Sequence, residues 1–320
     1  MAIAWGRRVA TGLVGIPTAL WLLSSDVGML LLATTLCCLS LVEFTAIVCP
    51  QIVPQPKAAT EKLAHRLLVV AAGAVLCVGA WTGIKLVHDA LGLGVTLAIF
   101  VFHVATTKKM DQTGKKEEST AVVITVSGSL LTDRCAAAAL ITLLLDLFAL
   151  LYIVNGFSHA ILLRYSSSKY GLGLQILGLC CAWVCDSGAL VAGSFMGHVK
   201  LAPVVSPGKT IVGAIAGVIS STATVLVMFA LPHFSGVLPW THELLPPLDV
   251  VPFTHQIVLG AVLGVLCIVG DLVESYVKRV AGVKDSGAFF PGHGGCLDRM
   301  DSFLFVAPCL YFYSQFALPQ

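Results

Sequence analysis

Between Ser275 and Asp301, flanked by apolar runs, the chain gathers the charged side chains Lys278, Arg279, Lys284, Asp285, Asp298, Arg299 and Asp301, with His293 inside the turn Pro291-Gly-His-Gly-Gly295. Lysine and arginine are donors suited to phosphate oxygens, and aspartates supply the hard oxygen ligands that a divalent cation takes. Five glycines from Gly282 to Gly295 allow backbone amides to close on an anion. The stretch therefore reads as a phosphate and metal site rather than a solvated connector of mixed charge. His293 is a donor either to a phosphate or to the loop itself. Upstream, Asp271, Glu274 and Lys278 are spaced i, i+3 and i+7, which puts them on one helical face. That face brings Asp271 to the membrane boundary, where it could share a metal with Asp298 and Asp301.

A second dense stretch runs from Trp183 to Gly213. It holds Asp186 within an apolar run and then Ser206-Pro-Gly-Lys209-Thr210. A carboxylate in a membrane helix costs on the order of 3 kcal/mol on insertion scales, so Asp186 should face a polar cavity, a partner cation or a metal. Gly208-Lys209-Thr210 is not a nucleotide P-loop, because the place that motif reserves for its first glycine is Pro203. Glu43 and Asp146 are further acids in apolar runs. Neither lies near a motif in the sequence, and both read as packing or bridging groups between helices.

The first stretch, S-x-x-K-R, four residues, K-D, then P-G-H-G-G-x-x-D-R-x-D, resembles the signature of phosphatidate cytidylyltransferases, the CDP-diacylglycerol synthases. The second resembles that family's W-x-x-D-x-x-A, G-x-x-x-G and S-P-x-K-T blocks, and a weaker likeness covers Leu151 to Arg164. The chain departs from the pattern at Cys296, where a larger aliphatic residue is expected. It departs again at Gly208 and Val212, where a second basic residue and a Glu are usual. The resemblance implies transfer of a cytidylyl group from CTP to phosphatidic acid, with no nucleic-acid partner, in an enzyme embedded in the lipid bilayer. It implies Mg²⁺ or another divalent cation, and leaves room for a second metal ion and for a homodimer. On this reading Asp271, Asp298 and Asp301 hold the metal, and Lys209, Lys278, Arg279, Lys284 and Arg299 contact the triphosphate and phosphatidate. Asp285 orders its loop or pairs a cation, His293 joins the catalytic set, and Asp186, Ser206, Lys209 and Thr210 bind substrate. Two other readings stand beside it: a CTP-dependent membrane lipid kinase, which would release CDP, and a transporter whose buried acids line an ion path.

The elements that must position these residues are membrane helices. Of 320 residues, 57% are hydrophobic and 11% charged, with a mean hydropathy of +0.93, against about 25% charge in an ordinary soluble domain. Apolar runs at 9–25, 27–49, 67–83, 90–105, 135–154, 172–197, 211–231, 255–273 and 302–317 approach or reach the length that crosses ~30 Å of hydrocarbon. Open sheets are excluded in lipid, so the expected fold is all-α and polytopic, with about nine transmembrane helices and eight to ten as the range. The segment 120–133 is apolar but short, and its crossing status is left open. With nine crossings, most lysines and arginines share one face with the N-terminus and the signature loop, the cytoplasm-equivalent face. A first helix retained in the chain fits Met1 to Leu23 better than a cleaved signal peptide. The eleven cysteines lie largely in apolar runs and read as small hydrophobes. Residues 1–170 form an N-terminal set of helices, and 171–320 a catalytic half whose signature loop spans 274–301. The loops 198–210 and 274–301 are separated by two crossings and so emerge on the same face.

Overall fold

The computed structural model describes residues 13–15, 17–53, 59–118, 128–167, 169–234, 244–247, 250–290 and 294–318. After the short apolar helix Leu13–Leu23, α1 (Asp26–Glu43) continues through a π turn (Phe44–Val48) into Cys49–Ile52. Three further helices follow: α2 (Ala59–Trp81), α3 (Lys85–Glu118) and α4 (Gly128–Ala149). A second π turn, Leu150–Val154, links α4 to α5 (Asn155–Tyr165), and α6 is Gly171–Met196. The C-terminal half adds a hairpin of β1 (Lys200–Ala202) and β2 (Ser206–Thr210), then α7 (Ile211–Ala230), α8 (Phe253–Val280), the single turn α9 (Leu297–Met300) and α10 (Phe303–Ala317).

Seven of the described helices are long and apolar enough to cross a membrane: Asp26–Ile52, Thr60–Trp81, Lys85–Thr106, Ala137–Tyr165, Gly171–Met196, Ile211–His233 and Phe253–Val280. Two shorter apolar helices, Leu13–Leu23 and Phe303–Ala317, overlie the first and last apolar runs of the sequence. The protein is an integral membrane protein, and its described residues are all-α apart from one hairpin. Large apolar side chains such as Leu86, Val101, Leu190 and Phe195 are exposed, as lipid-facing positions should be. Of the short segment 120–133, the part from Gly128 opens α4, and 120–127 lies outside the described residues.

Local chemistry sets the helix ends that matter for the site. The Ser25 hydroxyl accepts from the Gly28 amide (3.0 Å) to start α1, and the Thr210 hydroxyl accepts from the Gly213 amide (3.1 Å) to start α7. Each satisfies one of the amides that a helix N-terminus leaves without an internal partner. At the other end of the C-terminal half, α8 runs seven residues past the apolar run read from the sequence. Lys278 and Arg279 occupy its last turn, where cations favour the helix dipole. The buried core lies among α1, α2, α5, α6 and α10, around Leu41, Phe44, Phe157, Leu162, Leu177 and Val306.

The hairpin corrects the expectation of a plain loop at 198–210. Antiparallel pairing places Lys200 opposite Thr210 and Ala202 opposite Ser206, which fixes Lys209 one step from the start of α7. Composition alone does not mark so short a ladder, because its stability comes from pairing and from the helices beneath it.

Candidate active site

The signature loop is built around two buried carboxylates. Asp298, in α9, accepts from the Ser286 amide (3.1 Å to Oδ1, 3.0 Å to Oδ2), from the Gly295 amide (2.7 Å to Oδ2) and from Lys278 Nζ (2.8 Å to Oδ1). Burial alone would raise its pKa, but the hydrogen bonds from its partners outweigh that and hold it at about 2. Lys278 also pairs with Glu274 Oε2 at 2.5 Å. The cation thus sits between a helix carboxylate and a loop carboxylate, and ties the end of α8 to the signature turn.

The second carboxylate is Glu43, at the end of α1 and 8% exposed. Its Oε2 accepts from the amides of Cys296 (2.8 Å) and Leu297 (3.2 Å) and from the Ser286 hydroxyl (3.4 Å). Two glycines of the signature make room for it. A Cβ on Gly287 would lie 2.1 Å from Glu43 Oε1, and one on Gly295 would lie 2.6 Å from Oε2. The anion that these backbone groups enclose is therefore a side chain of the protein. Glu43 does act as a bridge, as its burial in an apolar run suggested, but what it bridges is α1 and the signature loop. The sequence reading that it lies near no motif is corrected by this contact.

A third set joins the two motif blocks. Lys209 Nζ lies 2.8 Å from Asp271 Oδ2 and 3.7 Å from Asp186 Oδ1, so Asp186 has the partner cation expected of it. Burial disfavours the charge on Lys209, yet Asp271 and Asp186 outweigh it and hold the ammonium above the ordinary lysine range. Arg279 Nε donates to the Val205 carbonyl in the hairpin turn (3.1 Å), a further tie between hairpin and signature. Asp301 is buried beside this set, its Oδ1 accepting from the Ser302 amide (2.8 Å). Gly270 lets α8 pack against that backbone, since a Cβ there would meet the Asp301 carbonyl oxygen at 2.5 Å. Burial, then the negative charge of Asp271, pushes the Asp301 carboxyl up to about 8.

Of the residues singled out from sequence, Asp186, Lys209, Asp271 and Asp301 form one electrostatic cluster, and Lys278 and Asp298 form another with Glu274. Lys284, Asp285 and Arg299 are exposed. Ser206 opens β2, and Thr210 is buried as the cap of α7. His293 lies outside the described residues. Of the three departures from the expected pattern, Cys296 is fully buried, Gly208 borders open space, and Val212 is half-buried in the first turn of α7. Beside the hairpin lies an apolar groove of about 520 Å³ between α4 and α8, lined by Leu144, Phe148, Val269, Val273, Tyr276 and Val205.

Among the described residues a different trio has metal-ligating geometry: His65, His103 and Asp146, whose ligand atoms all lie within 4.8 Å of one another. It stands in the N-terminal half, away from the motifs in sequence. Asp271, Asp298 and Asp301 do not bring their carboxylate oxygens that close together as a set of three.

Lysines paired with aspartates and a glutamate, in a protein of membrane-length helices, are groups chemically suited to phosphate oxygens and a divalent cation. The cytidylyltransferase family model matches residues 6–317, and the chain belongs to that family. Among curated relatives, the phosphatidate cytidylyltransferase of Staphylococcus saprophyticus is 39% identical over 164 residues, 51% of this chain and 56% of the relative. The phosphatidate cytidylyltransferase of Synechocystis is 37% identical over 166 residues, covering 52% and 51%, and that of Bacillus subtilis 38% over 164, covering 51% and 55%. The chain spans about half the length of the curated relatives it matches.

Proposed function

We propose that this protein is a CTP:phosphatidate cytidylyltransferase, joining CTP to phosphatidic acid to give CDP-diacylglycerol and pyrophosphate. The observation that carries the reading is the Lys209–Asp271 pair, which couples the hairpin of one motif block to the helix that leads into the other. A phosphate oxygen of phosphatidic acid attacks the α-phosphorus of CTP. A phosphorus–oxygen bond forms there, the bond to the bridging oxygen of the β-phosphate breaks, and pyrophosphate leaves. A phosphomonoester with a second pKa near ~6 is already largely dianionic at neutral pH, so the nucleophile needs little help from a base. The demand on the protein is to neutralise and align two polyanions.

The cations within reach of the loop are Lys209, Lys278, Arg279, Lys284 and Arg299, and they would share the triphosphate and phosphatidate oxygens. Asp271, Asp298 and Asp301 offer the hard oxygen ligands that suit Mg²⁺. Asp301 is buried beside Asp271, and burial first, then the Asp271 charge, raises its carboxyl, so a divalent cation there would favour the ionised form. Bound there, Mg²⁺ would screen the phosphate charge and favour departure of pyrophosphate. The groove between α4 and α8 is apolar and adjoins the hairpin, so it suits an acyl chain entering sideways from the bilayer. The active site would face the cytoplasm-equivalent side. Residues 171–320 carry the chemistry, and 1–170 form the helical support that supplies Glu43.

The test is turnover by detergent-purified protein supplied with CTP, phosphatidic acid and Mg²⁺, comparing wild type with Asp298→Asn. Equal amounts of CDP-diacylglycerol and pyrophosphate, lost in the variant, support the assignment. CDP together with a newly phosphorylated lipid would replace it with the kinase, and no turnover with any lipid acceptor would favour the transporter.

A further inference from the structure

Three helices of the N-terminal half bring imidazole and carboxylate groups to one buried point that the reaction does not use. His65 comes from α2, His103 from α3 and Asp146 from α4. His65 Nε2 and His103 Nε2 each lie 2.7 Å from the same oxygen, Asp146 Oδ2. The two rings stand edge to face, 5.9 Å between centroids, and His65 stacks on Phe102, so both are held in orientation by packing. Asp146 is 1% exposed, and its other oxygen, Oδ1, is buried with no hydrogen-bond partner. A small cavity of about 70 Å³ adjoins His65 and is lined also by Thr45, Cys49 and Thr142.

We propose that His65, His103 and Asp146 bind one divalent first-row transition-metal ion, with zinc the expected occupant. Hydrogen bonding alone accounts for this arrangement poorly. Both imidazoles would have to donate from Nε2 to one carboxylate oxygen while the second oxygen stays buried and unpaired, and such a group costs roughly 1–3 kcal/mol. A single dication in place of the two imidazole protons offsets the buried carboxylate charge and can engage both of its oxygens. Two imidazoles with one carboxylate select zinc-like ions over Mg²⁺, which takes oxygen ligands in octahedral array. Zinc–nitrogen bonds of about 2.0–2.1 Å would spread the three ligand atoms by a few tenths of an ångström, a shift that side-chain rotation accommodates. The cavity on the His65 side is lined by Cys49 and Thr142 and also by Lys62 and Arg66, and a water there would complete a tetrahedron.

The consequence reaches the catalytic half through the chain. Cys49 stands directly after the π turn that follows Glu43, so an ion here would pin α2, α3 and α4 beside the helix whose end holds the signature loop. Its role is structural: it cross-links helices by ligands rather than by apolar contact, which is weak between helices in lipid.

Metal content decides the matter. Protein freed of any affinity tag is purified without added metal, and bound metal is measured by plasma mass spectrometry for wild type, His103→Gln, Asp146→Asn and the control His198→Gln. The expected result is about one zinc per chain in wild type and control, and none in the two site variants. Should those variants fail to fold, wild type alone still answers. After removal of the ion with a chelator, Co²⁺ should give the visible absorption of a tetrahedral nitrogen–oxygen site, displaced by one equivalent of Zn²⁺. Wild type with neither retained metal nor that Co²⁺ spectrum would overturn the proposal, and so would metal that persists in both site variants.

Discussion

Replacing Glu43 with alanine should loosen the signature loop although the residues that Glu43 contacts there lie 243 to 254 positions further along the chain. Glu43 Oε2 is the acceptor for two backbone amides, Cys296 and Leu297, and for the Ser286 hydroxyl. Removal leaves two amide donors buried without partners, at about 1–3 kcal/mol each, so the loop loses roughly 2–6 kcal/mol of local stability. At tenfold per 1.4 kcal/mol, amides of the loop should exchange with solvent about 30-fold to 10⁴-fold faster. Hydrogen exchange read by mass spectrometry on peptides covering 285–297 measures this directly, with α7 peptides as an internal reference. Glu43→Gln keeps an acceptor oxygen without the charge and should fall between wild type and alanine. A loop that exchanges at the wild-type rate in Glu43→Ala, with folding intact, would refute the view that this carboxylate holds the site together.

Gly287→Ala should mimic that effect, because its Cβ would sit 2.1 Å from Glu43 Oε1; combined with Glu43→Ala it should add little, which a double-mutant comparison of exchange rates checks. Lys278→Met leaves Glu274 and Asp298 facing each other without their shared cation, so a fall in kcat/KM of about 10²–10³ and a lower thermal midpoint are expected, with Lys278→Arg recovering part of both. The Asp301 carboxyl, pushed up to about 8, keeps its proton in the folded protein through a range where an ordinary carboxyl has lost it. Without a cation, its ionisation therefore removes stability as pH rises from the unfolded value near 4 towards 8. Because Mg²⁺ takes the ionised form, apparent Mg²⁺ affinity should climb with pH up to about 8 and then level off. Proton release measured by calorimetry in two buffers tests this, and Asp301→Asn should abolish the dependence.

What the sequence made legible was what local patterns encode. Hydropathy marked the membrane helices because each is a continuous apolar run. The helical repeat placed Asp271, Glu274 and Lys278 on one face, and α8 carries all three. Counting crossings put the hairpin and signature loops on one side, and Lys209 does meet Asp271. Contacts between distant residues were not legible. Glu43 is 253 residues from Cys296, with which it bonds, and nothing in its neighbourhood repeats or matches a motif. The signal that could have found it is the one applied to Asp186: an isolated acid in an apolar run requires a partner. The same holds for Asp146, whose two histidine partners lie on other helices, and for the π turns, which leave hydropathy unchanged.

The position of the label that reaches the lipid is the most direct measurement of the central claim. Protein in detergent micelles with phosphatidic acid and Mg²⁺ is given CTP labelled at the α-phosphorus in one reaction and at the γ-phosphorus in another. Cytidylyl transfer predicts that the α label appears in the lipid fraction and the γ label in aqueous pyrophosphate, both abolished by Asp298→Asn. The γ label in lipid, with the α label left in CDP, would contradict the account.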